Sequence, residues 1–205
     1  MPTADRTDII HTLEHRAPPW QDARQSIVGG VSAVEPRTHQ LKTGASLLIR
    51  EAGADDARAV LDYVEAVSGE SDFLAFGPGE FELDEAAERA VLRRYAESAN
   101  QLYLLGLVDS ALAAALIFSA APRPRLRHCG ELGMSVRKQY WGLGIGSVML
   151  DALIAWAQSA GGIKKVNLRV RTDNLRAIRL YERKGFAIEG TLRREMYLGG
   201  RYFDN

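Results

Sequence analysis

The sequence has a single cysteine, Cys129, in 205 residues. That excludes a disulfide framework within one chain and points to a reducing compartment. Its opening, Met1-Pro2-Thr3-Ala4-Asp5-Arg6, has no apolar core behind it, so no secretory leader is expected and a cytoplasmic location is. The 19 glycines follow no three-residue repeat, which excludes collagen. Hydrophobic residues at 46% and charged residues at 25% exclude a fully disordered chain. The length suits one ordinary domain with an appendage.

Only one long apolar run is present, Leu102 to Ala121, and Asp109 lies near its centre. An acid there costs roughly 2.5–3.5 kcal/mol on membrane-insertion scales. Asp109-Ser110 instead suits a tight turn between two strands, Gln101 to Val108 and Ala111 to Phe118. A hairpin, not a membrane span, is the expectation.

Net charge is also lacking, with 26 basic and 26 acidic residues, but the two signs are segregated. From Glu51 to Glu97 there are 13 Asp/Glu against 4 Arg, a balance of −9. From Arg123 to Asp204 there are 16 Arg/Lys against 7 Asp/Glu, a balance of +9. The pattern fits two ligands of opposite sign, or complementary surfaces within one fold. On the first reading the two halves wall one cleft.

Residues 1–44 show little periodicity and are expected to form an extension, partly disordered or arm-like, with the globular domain spanning 45–205. Ser46 to Arg50 reads as a strand. Asp55 to Gly69, with Val60, Tyr63, Val64 and Val67 at helical spacing, reads as a helix, as does Asp84 to Ser98. After the hairpin come a strand from His128 to Val136, a glycine-rich turn, and a long helix that Gly161-Gly162 ends. A strand from Lys165 to Val170, a helix from Leu175 to Lys184 and a final hairpin after Phe186 complete the chain. A hairpin followed by alternating strands and helices predicts a mixed-sheet α/β (α+β) domain.

The most informative stretch is Trp141-Gly142-Leu143-Gly144-Ile145-Gly146-Ser147, between a strand and a helix. Alternate glycines let backbone N–H groups converge on an anion, and the helix start adds its positive end. A P-loop is excluded because no Lys precedes Ser147. A dinucleotide fingerprint is excluded because the spacing is G-x-G-x-G and no acid lies between Asp151 and Asp173. Packing alone also produces such turns. The second stretch is Asn174-Leu-Arg-Ala177-Ile-Arg-Leu-Tyr181-Glu-Arg-Lys-Gly185-Phe186.

Together, in this order and about 30 residues apart, the two stretches resemble the GNAT superfamily of acetyl-CoA-dependent N-acetyltransferases. The resemblance runs from about residue 46 to the C-terminus. It implies a central mixed sheet of about six to seven strands flanked by about four helices, with acetyl-CoA as co-substrate. The turn, Trp141 to Ser147, would hold the pyrophosphate, although Trp141 stands where the family usually has Arg or Gln. Met134 and Val136 would offer main-chain groups to the pantetheine arm, with Asn174 and Ala177 in the second binding segment. The resemblance further suggests a homodimer, with the last strand short or completed by a second subunit.

For chemistry, the attacking amine must first lose a proton, since a free alkylammonium has a pKa near ~10. Glu131, on the strand before the turn, is the candidate base; it would equally serve to pair an arginine or fix the strand. Tyr181 resembles the family's general acid, protonating the departing thiolate, and would equally pack along the cofactor channel. Glu70, Phe73 and Phe76, with Asp72, Glu80 and Phe81, occupy a loop that lines the acceptor site in GNAT relatives, where acids and aromatics suit a cation. The expected activity is acetyl transfer to a primary amine by direct attack, the acceptor being a small molecule or a peptide N-terminus. A non-catalytic acyl-CoA sensor is the alternative. No metal, nucleic-acid or membrane partner is expected. Cys129 and His128 face opposite sides of a strand and do not make a nucleophile pair. The H-x-x-E-H run from His11 to His15 lacks a core to hold a metal, and Arg123, Arg125 and Arg127 match no nucleic-acid motif.

Overall fold

The computed structural model describes residues 34–205 apart from positions 82 and 161, together with the backbone of one strand at His11–Glu14. That strand is β1. It is followed by β2 (Arg37–Gln40), β3 (Ser46–Glu51), α1 (Ala57–Ser68) and α2 (Glu85–Ala96). Then come β4 (Gln101–Val108), β5 (Ala111–Ala120), β6 (Cys129–Val136), α3 (Ile145–Ser159), β7 (Lys165–Leu168) and α4 (Leu175–Arg183). Short strands β8 (Ala187–Ile188), β9 (Met196–Leu198) and β10 (Arg201–Phe203) close the chain.

The mixed α/β architecture and its four helices are as expected. Eight strands share one sheet in the order β2-β3-β4-β5-β6-β7-β1-β8, and β9 pairs with β10 separately. Strands β1 and β2 come from the stretch expected to be an extension, and β2 lies antiparallel to β3 along the sheet edge. The two-residue turn Asp109-Ser110 adopts φ of 46° and 72°, the left-handed pair that matches the twist of a tight hairpin. The apolar run is therefore the β4–β5 hairpin at the centre of the sheet. No helix among the described residues is long and apolar enough to cross a membrane.

Period-2 alternation in β4, β5 and β6 gives the sheet two apolar faces. Helix α1 and Leu92 of α2 cover one, packing Val60, Tyr63, Val64 and Val67 against Leu105 and Ala115. Helices α3 and α4 cover the other, where Met149, Leu150, Leu153 and Trp156 meet Leu116, Phe118 and Leu132. Each fully buried leucine contributes roughly 1.5–3 kcal/mol. Burial of this kind on both faces holds the central strands rigid.

One pairing decides where a ligand can enter. All neighbouring strands run antiparallel except β6 and β7, which are parallel only from Cys129↔Lys165 to Leu132↔Leu168. Beyond Leu132, β6 continues to Val136 while β7 ends. The sheet opens there, exposing the backbone edge of residues 133–136.

Candidate active site

The glycine turn closes the open end of β6. Gly142 and Gly144 both adopt φ of +87°, with nothing within 4 Å of a Cβ added at either. Glycine is required there by conformation, not crowding. Leu143 and Ile145 alternate with them and turn inward onto the α3–α4 core. Gly144 is the N-cap of α3, and Ser147 and Val148 donate back to its carbonyl. Among the described residues the amides of Ile145 and Gly146 make no hydrogen bond, so the helix start presents free donors and a positive dipole end. Gly146 is closely packed: a Cβ there would lie 3.1 Å from Leu180 and 3.3 Å from the Met134 methyl, so those side-chain ends would have to give way.

Trp141 replaces an expected polar contact with a structural one. Its indole N–H donates to the Val136 carbonyl at 2.6 Å, and the Arg176 guanidinium lies 5.1 Å from its ring centre. The Val136 carbonyl, expected to serve a ligand, is thus already engaged.

Asn174 caps α4, its side-chain oxygen accepting from the Ala177 amide at 3.2 Å. This role is local, and it orients the helix that carries Tyr181. Tyr181 is 7% exposed, edge-on to Phe186 at 5.5 Å, on the α3–α4 side of the sheet. Burial pushes its hydroxyl up to about 12, so it stays protonated and keeps a hydrogen to donate.

On the opposite face lies a groove of about 880 Å³ between α1, α2, the 70–83 loop, β6 and the β9–β10 hairpin. Phe73, Phe76 and Glu131 line it; Tyr181 and Glu70 do not. The register explains Glu131: it sits opposite Ser119, with Gly133 opposite Ile117 and Ser135 opposite Ala115, so all six share the groove face. Glu131 is about half exposed and 3.5 Å from the Arg169 guanidinium, which also binds Glu195 at 2.6 Å. The Tyr63 hydroxyl shares a hydrogen bond with Ser135 at 2.9 Å, and burial pushes it up to about 12.

Glu70 departs from its expected place beside the acceptor. Its carboxylate accepts from Arg137 Nε at 2.8 Å and from the Lys138 amide at 2.6 Å. Partial burial alone would raise its pKa, but these two donors outweigh that and hold it below the usual range. The side chain is a latch between the acceptor loop and the approach to the glycine turn. Arg171, which sequence reasoning missed, is a second clip. Only 7% exposed, it makes a two-point ion pair with Asp173, donates to the Asp72 carbonyl at 2.8 Å, and lies between the Phe73 and Phe203 rings. Its partners lie up to 99 residues away, beyond any local pattern. Cys129 is half-buried and donates to the Leu126 carbonyl. The side chains of His11, Glu14 and His15 lie outside the described residues; among those described, no cluster suits a metal.

The turn and the groove meet at one residue. Met134 underlies Gly146 and also lines the groove. Residues 70–186 match the acetyltransferase (GNAT) family. The chain belongs to that family. Membership makes it an acyltransferase enzyme. An acetyltransferase of the GNAT family from Streptococcus pneumoniae is 36% identical, with a TM-score of 0.75 over 77% of this chain and 95% of its own. The L-amino acid N-acetyltransferase AaaT of Escherichia coli is 27% identical over 111 residues, 54% of this chain and 68% of that protein. The spermidine N(1)-acetyltransferase of Vibrio cholerae is 27% identical over 79 residues, 38% of this chain and 46% of that protein.

Proposed function

We propose that this acyltransferase moves the acetyl group of acetyl-CoA directly to a primary amine, either a small-molecule amine or a peptide N-terminus. One observation supports this most. A glycine turn with free backbone amides and an acidic, aromatic groove lie on opposite sides of the same strand edge and converge on Met134.

The residues divide the work. Free amides at the start of α3 and the glycine turn suit a pyrophosphate, and the unpaired edge of β6 beyond Leu132 suits the amide groups of a pantetheine arm. Acetyl-CoA supplies an acyl carbon activated by a thiol leaving group. Glu131 lies in the groove with a route to solvent and takes the proton that the attacking nitrogen must shed. Arg169 keeps that carboxylate pointed into the groove. Tyr181 faces a leaving thiolate whose ordinary pKa is ~8.5. A hydroxyl that burial holds up to about 12 is a weak proton donor toward such a thiolate. Tyr181 therefore acts by donating a hydrogen bond to the developing thiolate, with the proton arriving later from solvent. Cys129 takes no part, since it lies at the far end of β6 and does not line the groove.

The groove supports a cationic acceptor. Five carboxylates line it, Asp72, Glu80, Glu88, Glu131 and Glu195, against two arginines, Arg169 and Arg171. Thiol release from acetyl-CoA, followed across monoamines, diamines, amino acids and N-terminal peptides, tests the proposal. At least one amine should accelerate release well above hydrolysis and appear acetylated by mass. Tight CoA binding with no amine-dependent turnover would instead establish the sensor.

A further inference from the structure

Glu88 is the buried acid that the mechanism above does not use. It lies on α2, with Leu92 and Tyr95 on the same inward stripe, and is only 2% exposed. It nevertheless lines the acceptor groove. Among the described residues its carboxylate has no hydrogen bond and no ion pair, and burial raises its pKa. Of the other groove acids, Glu131 and Glu195 pair with Arg169 and Glu80 accepts from the Gly77 amide, while the exposed loop acid Asp72 lies in the field of Arg171. No fully buried polar atom among the described residues lacks a partner, so the Glu88 oxygens still reach the groove, where a largely desolvated carboxylate favours a charged or hydrogen-bonding group that arrives to meet it.

We propose that Glu88 is a specificity-determining residue that seats a second, non-reacting ammonium of the acceptor, so that the enzyme's preferred acceptors are aliphatic diamines or polyamines. This rests on the amine-acetylation reading above. The reacting nitrogen must be neutral to attack, and a buried carboxylate beside it would hold it protonated. The cation that Glu88 fits is therefore a different nitrogen of the same molecule. The two poles stand on different walls, Glu88 on α2 and Glu131 on β6. Between them the groove is lined by apolar surface: Tyr103, Ile117 and Gly133 form one cross-strand row over β4, β5 and β6. The Tyr95 ring stands edge-on to Tyr103 at 5.5 Å. Methylenes between two charges suit that surface, and the tyrosine faces suit the far cation.

The test compares diaminobutane with butylamine, the same chain with and without its second nitrogen, in wild type and Glu88→Gln. Wild type should prefer the diamine by about tenfold to a hundredfold in kcat/KM, the range for a charge-assisted contact. In Glu88→Gln the preference should disappear through a raised KM for the diamine, with kcat little changed and butylamine kinetics unaffected. Calorimetry of diaminobutane binding to the CoA-loaded protein gives a readout without turnover and should show the same loss. Equal use of the two amines by wild type would overturn the proposal, as would a preference that survives in folded Glu88→Gln. If neither amine is acetylated, the function fails, while calorimetry still decides the cation seat. Diamine binding lost in Glu88→Gln supports that seat, and unchanged or absent binding refutes it.

Discussion

At the scale of single residues, the proposed function gives separable roles to two side chains on opposite faces of the sheet. Glu131→Gln preserves shape and the contact with Arg169 but removes the proton acceptor. Its kcat/KM should fall by about 10²–10⁴ at neutral pH and recover as pH rises and free amine becomes available. Near wild-type turnover would remove Glu131 from the mechanism. Tyr181→Phe should lower kcat with little change in the amine KM, and the deficit should grow for thioesters of more basic thiols. Because burial holds the Tyr181 hydroxyl up to about 12, its neutral form persists throughout the ordinary assay range. Activity that depends on it should thus show no loss near pH 10, where an exposed tyrosine would ionise. A pH–kcat profile falling with a midpoint near 10, absent in Tyr181→Phe, would contradict the buried-donor role. Both residues were legible in the sequence because each lies in or beside a motif. Glu88 left a fainter trace: an acid at a core position of the stripe Glu88, Leu92, Tyr95. An amphipathic pattern surrounded by other acids hides such a residue unless the period is followed position by position.

At the scale of elements, the strand–turn–helix unit from β6 to α3 depends on backbone conformation that only glycine adopts freely. Gly144→Ala places a Cβ in open space but at φ of +87°, a strain of about 1–2 kcal/mol. CoA affinity should drop by about tenfold, since the amides of the first turn would no longer converge, while the fold persists. Unchanged CoA affinity by calorimetry would remove the cradle assignment. Gly146→Val should lower Tm as well, because its side chain collides with Leu180 and Met134. The Glu70 latch gives a pH signature. Its depressed pKa means the folded state favours the carboxylate, so its contribution is complete above the ordinary value of about 4.3 and vanishes as pH falls through the lower folded value. Thermal melts of wild type and Glu70→Gln should differ at neutral pH and converge in acid; a gap independent of pH would contradict the latch. Most of these elements were readable from period and punctuation: Asp109-Ser110 as a turn, and Val60, Tyr63, Val64 and Val67 as one face of a helix. Strand β2 was not, because Arg-Thr-His-Gln carries no apolar alternation and is held by its pairing with β3. The Glu70 latch was also out of reach, since its partners lie 67 and 68 residues away.

At the scale of the whole molecule, the segregated charges acquire a spatial meaning. The acidic stretch supplies α1, the 70–83 loop and α2, which form one wall of the groove. The basic stretch supplies the strand, turn and helices around the cradle, together with the β9–β10 hairpin. Contact between the halves is made by paired groups, Glu70 with Arg137 and the Asp72 carbonyl with Arg171. Both of the groove's arginines are themselves engaged by acids, Arg169 by Glu195 and Glu131 and Arg171 by Asp173. On the proposed function, what remains for an incoming amine is a net acidic field on one side of the sheet, while the free amides on the other side are left for an anionic cofactor. Opposite fields of this kind accelerate encounter and are shortened by salt, to about 8 Å at physiological ionic strength and ~3 Å at 1 M. For a doubly charged amine, kcat/KM should fall several-fold between low and high salt, whereas kcat at saturation should hold, because the chemical step occurs between groups already in contact. A neutral-chain amine with one charge should show the smaller slope. Stopped-flow or steady-state kinetics over a salt series distinguish the cases: equal slopes for the two amines, or a kcat that falls in step with kcat/KM, would mean that the acidic wall does not guide the acceptor.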